Sequence, residues 1–120
     1  MPSMSDAPIL DSSALDGLHK FGQADFVGKM VEIFLLSTKD APEEIGSLLA
    51  EKDWKGLAFA AHSIKSGAGN LGLMLLMECC TELESAAKAG DAALVERLVP
   101  SLESVYQGSR DALTAYMAKP

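Results

Sequence analysis

Leu57, Ala61, Ile64, Ala68 and Leu71 recur at steps of four and three, the spacing of a helix that turns one stripe toward a bundle core. Asp53 ahead of this stripe is a helix-capping residue and Gly72 behind it a helix-stopping one, so the spacing predicts a helix from Trp54 to Leu71. His62 lies one residue off the stripe, about 100° around the helix axis. Its helical neighbours are then Ala58 and Phe59 one turn before, and Lys65, Ser66 and Gly69 after. The imidazole is flanked by small side chains and a lysine and roofed by nothing. Glycine inside a helix costs roughly 1 kcal/mol relative to alanine, so Gly67 and Gly69 call for a reason. Close approach by another molecule is one.

The rest of the chain is also helical in pattern. Residues 1–8, with Pro2 and Pro8 among small polar residues, are expected as a loose tail, and residues 9–120 as one domain. Asp11 is placed to cap a short helix to about Lys20, with Ala14, Leu15 and Leu18 inward and Gly22 past its end. A second helix is expected from Ala24 to Thr38, with a broad apolar face that includes Phe26, Met30, Ile33 and Phe34. Asp40-Ala41-Pro42-Glu43 has the form of a capping box with proline in the first turn, opening a third helix to Ala50. A fifth is expected over Leu73–Lys88, with Leu76, Cys79, Leu83 and Ala86 or Ala87 inward. Gly90-Asp91 joins a stop to a fresh cap, and the last helical region runs from Ala92 to about Ala118. Pro100 removes one backbone donor there and predicts a kink or break near Val99. Amphipathic helices with short connections and no strand pattern point to an all-α antiparallel bundle.

Composition excludes several functions. A formal charge of −7 repels phosphate backbones and argues against a nucleic-acid partner. No run of about 18 apolar residues could span a membrane. The first ten residues lack the basic and apolar regions of a secretion signal, which leaves the cytoplasm as the expected location. Met1 and the loose tail favour a free-standing protein, expected as a monomer. Cys79 and Cys80 are adjacent on one helix and point about 100° apart, so they form no ordinary disulfide with each other. With only His19 and His62 to add, they make no recognisable metal site.

A lone histidine on a helix surface is ordinarily a structural or solvated residue. Here its surroundings favour chemistry. Neutral imidazole has a free lone pair able to attack a phosphoryl group, Lys65 supplies a cation against phosphoryl oxygens, and Ala58, Ser66 and Gly69 leave room for an incoming active site. Ser63 and Ser66 have no His/Asp set that would make either a nucleophile. A metal-carboxylate bundle would need a Glu-x-x-His pair, and neither histidine has a glutamate three residues before it. A protein-binding adaptor that does no chemistry is the other rival, and His62 with Lys65 beside it speaks against it.

The string AHSIKSGAGNLG, residues 61–72, resembles the histidine-containing phosphotransfer (HPt) domain of phosphorelays: a helical histidine (His62), a lysine three residues on (Lys65), a small residue after it (Ser66) and a glycine ten residues after the histidine (Gly72). Asp53-Trp54, the run CCTELE from Cys79 to Glu84 and the turn Ala87-Lys88-Ala89-Gly90-Asp91 extend the likeness to roughly residues 9–118. Ser66 stands where the family often has glycine, and the connection from Phe34 to Pro42 looks longer than in many members. The resemblance implies a four-helix core with an additional N-terminal helix across one end. It also implies that His62 carries a phosphoryl group on its distal nitrogen, exchanged with aspartates of receiver domains in response regulators or hybrid histidine kinases, with Lys65 offsetting phosphoryl charge. Ala58, Phe59, Ser66 and Gly69 would form the receiver-docking surface. The chain has no ATP-binding loop, so by this likeness it has no cofactor of its own, and Mg²⁺ is expected on the receiver.

Overall fold

In the computed structural model residues 6–118 are described, and they form six helices with no strand among them: α1 (Ser13–Lys20), α2 (Ala24–Ser37), α3 (Ala41–Ala50), α4 (Trp54–Leu71), α5 (Met74–Ala89) and α6 (Ala92–Met117). The predicted limits of α4 are the observed ones. Asp53 accepts from the Gly56 amide at 2.9 Å, which satisfies one of the free donors at the helix start. At the other end Gly72 takes φ +81°, a left-handed conformation that closes the helix. Gly90 (φ +68°) and Asp91, which accepts from Leu94 N, repeat the pattern between α5 and α6. Two-residue turns at 72–73 and 90–91 make α4, α5 and α6 antiparallel neighbours.

The packing follows from these turns. Helix α4 lies along α5 and α5 along α6, while α2 and α3 both reach α4 and α6, closing a bundle around one core. Leu57, Ala61, Ile64, Ala68 and Leu71 all face that core. The additional α1 packs on α2 and sinks a fully buried Leu15 into the same core.

The N-terminal segment clamps the α4–α5 turn. Asp11 N donates to Gly72 O at 2.7 Å and Leu75 N to Pro8 O at 3.0 Å. Any Cβ at Gly72 would collide with the Asp11 carbonyl, so glycine is required there for space as well as for φ. Of the expected tail, residues 1–5 lie outside the described residues and Pro8 is held by Leu75.

Several local expectations are corrected. Helix α1 opens at Ser13 after Ser12, and Asp11 instead accepts from Ser13 N and Oγ one turn-position early; Ala14 is exposed. The Asp40 capping box does not form. A capping carboxylate seeks the amide at the second or third helical position, and the second is Pro42, which has none. Helix α2 ends at Ser37, one residue before its expected end, and residues 38–40 separate it from α3. On α5 the inward cysteine is Cys80, because the stripe runs Leu73, Leu76, Cys80, Leu83, Ala87; Cys79 is half-buried. Helix α6 passes through Pro100 without a break. Pro100 and Glu96, whose carbonyl loses its partner, are both exposed, so water can take that bond, and buried Val95, Val99 and Leu102 hold the helix on either side.

Candidate functional site

Helices α4 and α5 present facing side chains at mid-length. His62 projects from α4 with 58% of its side chain exposed. Opposite it on α5, Glu84 occupies an inward position beside Leu83 and Ala87, with its side chain only 12% exposed. A carboxylate so placed needs cations. It has them: Lys65 Nζ donates to Oε1 at 2.9 Å, Lys88 Nζ lies 3.1 Å from Oε2, and His62 Nδ1 lies 3.2 Å from Oε2. The Lys65 and Lys88 ammonium groups, aided by His62, hold the Glu84 carboxyl down at about 2 against the opposing effect of burial.

This charge state decides the imidazole's protonation pattern. An ionised carboxylate only accepts hydrogen bonds, so the nitrogen facing it must carry hydrogen. With Nδ1 as the donor, the neutral ring has its lone pair on Nε2, the nitrogen distal to the backbone.

Beside the imidazole is an open depression of about 610 Å³. Ala58 and Ala87 are among its apolar lining, Trp54 and Phe59 add aromatic walls, and Lys55 and Lys88 bring positive charge. Phe59 is 74% exposed and adds apolar surface at the rim of the depression.

The sequence-predicted residues divide. His62, Ala58 and Phe59 share the depression. Lys65 is brought to the cluster through Glu84. Ser66 and Gly69 are exposed further along α4 and do not line it. Gly67 and Gly69 have internal neighbours: a Cβ on Gly67 would come within 2.8 Å of the Phe34 ring on α2, and one on Gly69 within 3.3 Å of Met77 Sδ on α5. At Gly67 the close approach is therefore by another helix of the same chain.

Glu84 and Lys88 complete the cluster around His62, and the sequence reading assigned neither of them to the site. A signal existed, since Cys80, Glu84 and Ala87 follow the inward spacing of α5 and an acid on that stripe demands partners. His19 is exposed in the last turn of α1, and Tyr116 packs against the core from α6. Tyr116 Oη donates to Asp16 at 2.7 Å and lies 3.1 Å from His19 Nδ1, tying α1 to α6.

Among the described residues no group of three or more His, Cys, Asp or Glu could hold a metal ion, and no helix is long and apolar enough to cross a membrane.

Residues 29–115 match the family model described as Hpt domain. The fold is similar to the crystal structure of histidine-containing phosphotransfer protein B (HptB) from Pseudomonas aeruginosa PAO1, with a TM-score of 0.82, 26% identity, and coverage of 93% of this chain and 96% of that one. No curated protein sequence matches the chain.

Proposed function

The chain belongs to the Hpt domain family of phosphorelay carriers, and on that premise we propose that His62 takes a phosphoryl group from the phospho-aspartate of one receiver domain and passes it to the aspartate of another. One observation carries this reading: Nδ1 of an exposed imidazole faces a carboxylate kept ionised by two lysines, which leaves Nε2 free to act as nucleophile.

The transfer balances without any proton movement. Nε2 forms the new N–P bond, the acyl-phosphate P–O bond breaks, and the aspartate departs as carboxylate. Nδ1 keeps its hydrogen throughout. The phosphorylated ring is then cationic, and Glu84 stabilises that charge as it develops. In the reverse step the ring leaves as neutral imidazole, so the same contact serves both directions. Lys65 offsets charge on the phosphoryl oxygens. The receiver docks over Ala58 and Phe59, with Ser66 and Gly69 at the edge of its footprint, and brings the Mg²⁺. In this reading the protein is a cytoplasmic monomer that carries the group and leaves ATP-dependent phosphorylation to a kinase.

His62→Gln tests the assignment. Incubated with a phosphorylated receiver, the parent protein should acquire an acid-labile label and the variant none. Because the side chain is mostly exposed, stability should change by less than about 1 kcal/mol. Retained labelling or loss of the fold in the variant would overturn the assignment.

A further inference from the structure

One carboxylate at this site holds two lysines, and the pair divides between its oxygens. Lys65 is on Oε1 and Lys88 on Oε2, while His62 Nδ1 faces both, 3.2 Å from Oε2 and 3.4 Å from Oε1. With the imidazole neutral, the two ammonium groups exceed the single negative charge by one. A cation can therefore leave without stranding Glu84.

We propose that Lys88 is a positioning residue that lets Lys65 be handed from Glu84 to the phosphoryl group. This rests on His62 being the phosphoryl acceptor. Lys65 is the lysine that moves, because it shares α4 with His62 and lies one turn on, within reach of a group on the imidazole. Lys88 stays, since it sits four residues from Glu84 on α5 and bonds the oxygen that also holds Nδ1. Phosphorylation itself assists the exchange. The ring becomes cationic, its bonding to the carboxylate strengthens, and the charge lost from Oε1 is replaced by a cation already 3.4 Å from that oxygen. Without Lys88, Glu84 would have Lys65 as its sole lysine and would retain it. Lys88 thus acts on the reaction through Lys65 and touches no reacting atom.

A double-mutant cycle on the full chain separates this from a solvated surface charge. Potassium phosphoramidate serves as donor, which removes any effect of Lys88 on receiver docking, and ³¹P NMR follows the signal of phosphorylated His62. Lys65→Ala should slow labelling about tenfold, and Lys88→Gln about threefold, within the range of an exposed ion pair. The double variant should be no slower than Lys65→Ala alone, and Lys88→Arg should restore the parent rate. In the parent protein the ¹⁵N resonance of Lys65 Nζ should shift on phosphorylation, and in Lys88→Gln it should not. A parent-like rate in Lys88→Gln, or effects that multiply in the double variant, would overturn the handover while leaving His62 as acceptor. Absence of any label on His62 in the parent would overturn both.

Discussion

Two of the polar clusters that bridge helices in this bundle are built on opposite plans. Between α2 and α6, Tyr106 Oη donates to Thr38 O at 2.7 Å and lies 2.7 Å from Thr38 Oγ1, which itself donates to Phe34 O. Arg110 Nη1 donates to both Tyr106 Oη and Leu35 O. Tyr106 and Thr38 are buried, and their acceptors are mainly backbone carbonyls. Between α4 and α5, Glu84 gathers two lysines and a histidine whose heads reach solvent. Both clusters are satisfied, since among the described residues no buried side-chain polar atom lacks a partner. The difference lies in what can be exchanged. Hydroxyls bonded to backbone fix the register of two helices and cannot be swapped without exposing a carbonyl. Long ammonium side chains at a wet rim can change partners at small cost. Satisfaction alone therefore does not distinguish a staple from a reaction site; the mobility of the partners does.

The contrast breaks most sharply at Glu84. Glu84→Gln should leave the fold intact and slow phosphoryl transfer on the order of a hundredfold, as losing the partner of a reactive imidazole does. Single-turnover transfer with circular dichroism as the control checks this, and an unchanged rate would make the charged cluster a staple like the other. Tyr106→Phe should do the reverse, costing about 1–2 kcal/mol in urea unfolding while transfer stays at the parent rate. A transfer defect there would couple the two clusters.

The smallest effect is on acid stability. Glu84 is lowered from 4.5 to about 2 in the folded protein, so its contribution is fully present above about 4.5 and disappears as pH falls through about 2. Glu84→Gln should flatten the loss of stability across that window, whereas Tyr106→Phe should keep the parent's slope. Equal slopes in the parent and Glu84→Gln would remove the electrostatic account of the site.

Much of this was legible in the chain. The stripe from Leu57 to Leu71, bounded by Asp53 and Gly72, placed α4 and with it the outward direction of His62, because one helix determines the angle between its own side chains. What lay across the gap was not legible. Glu84 joins His62 from 22 positions away through packing of α4 on α5, a distance no local spacing encodes. The corrections at Asp40 and Pro100 share another cause. In both, the decisive fact was whether a particular backbone group had a donor or water available, which depends on neighbours beyond the motif. Gly67 shows the same dependence, since its small size serves the Phe34 ring on another helix.

The clamp of Pro8 and Asp11 on the α4–α5 turn bears on where this unit ends as an object that folds. Similarity to the family model begins at residue 29, yet the hydrogen bonds that close the turn and the wholly buried Leu15 come from residues well before it. The stretch that the family model matches is therefore shorter than the stretch that packs around the core. A fragment trimmed to residues 29–115 would keep His62, Lys65, Glu84 and Lys88 but leave the Gly72 carbonyl and the Leu75 amide without their partners and open the core where Leu15 sits. For this chain the core that supports His62 extends beyond the residues that the family model matches.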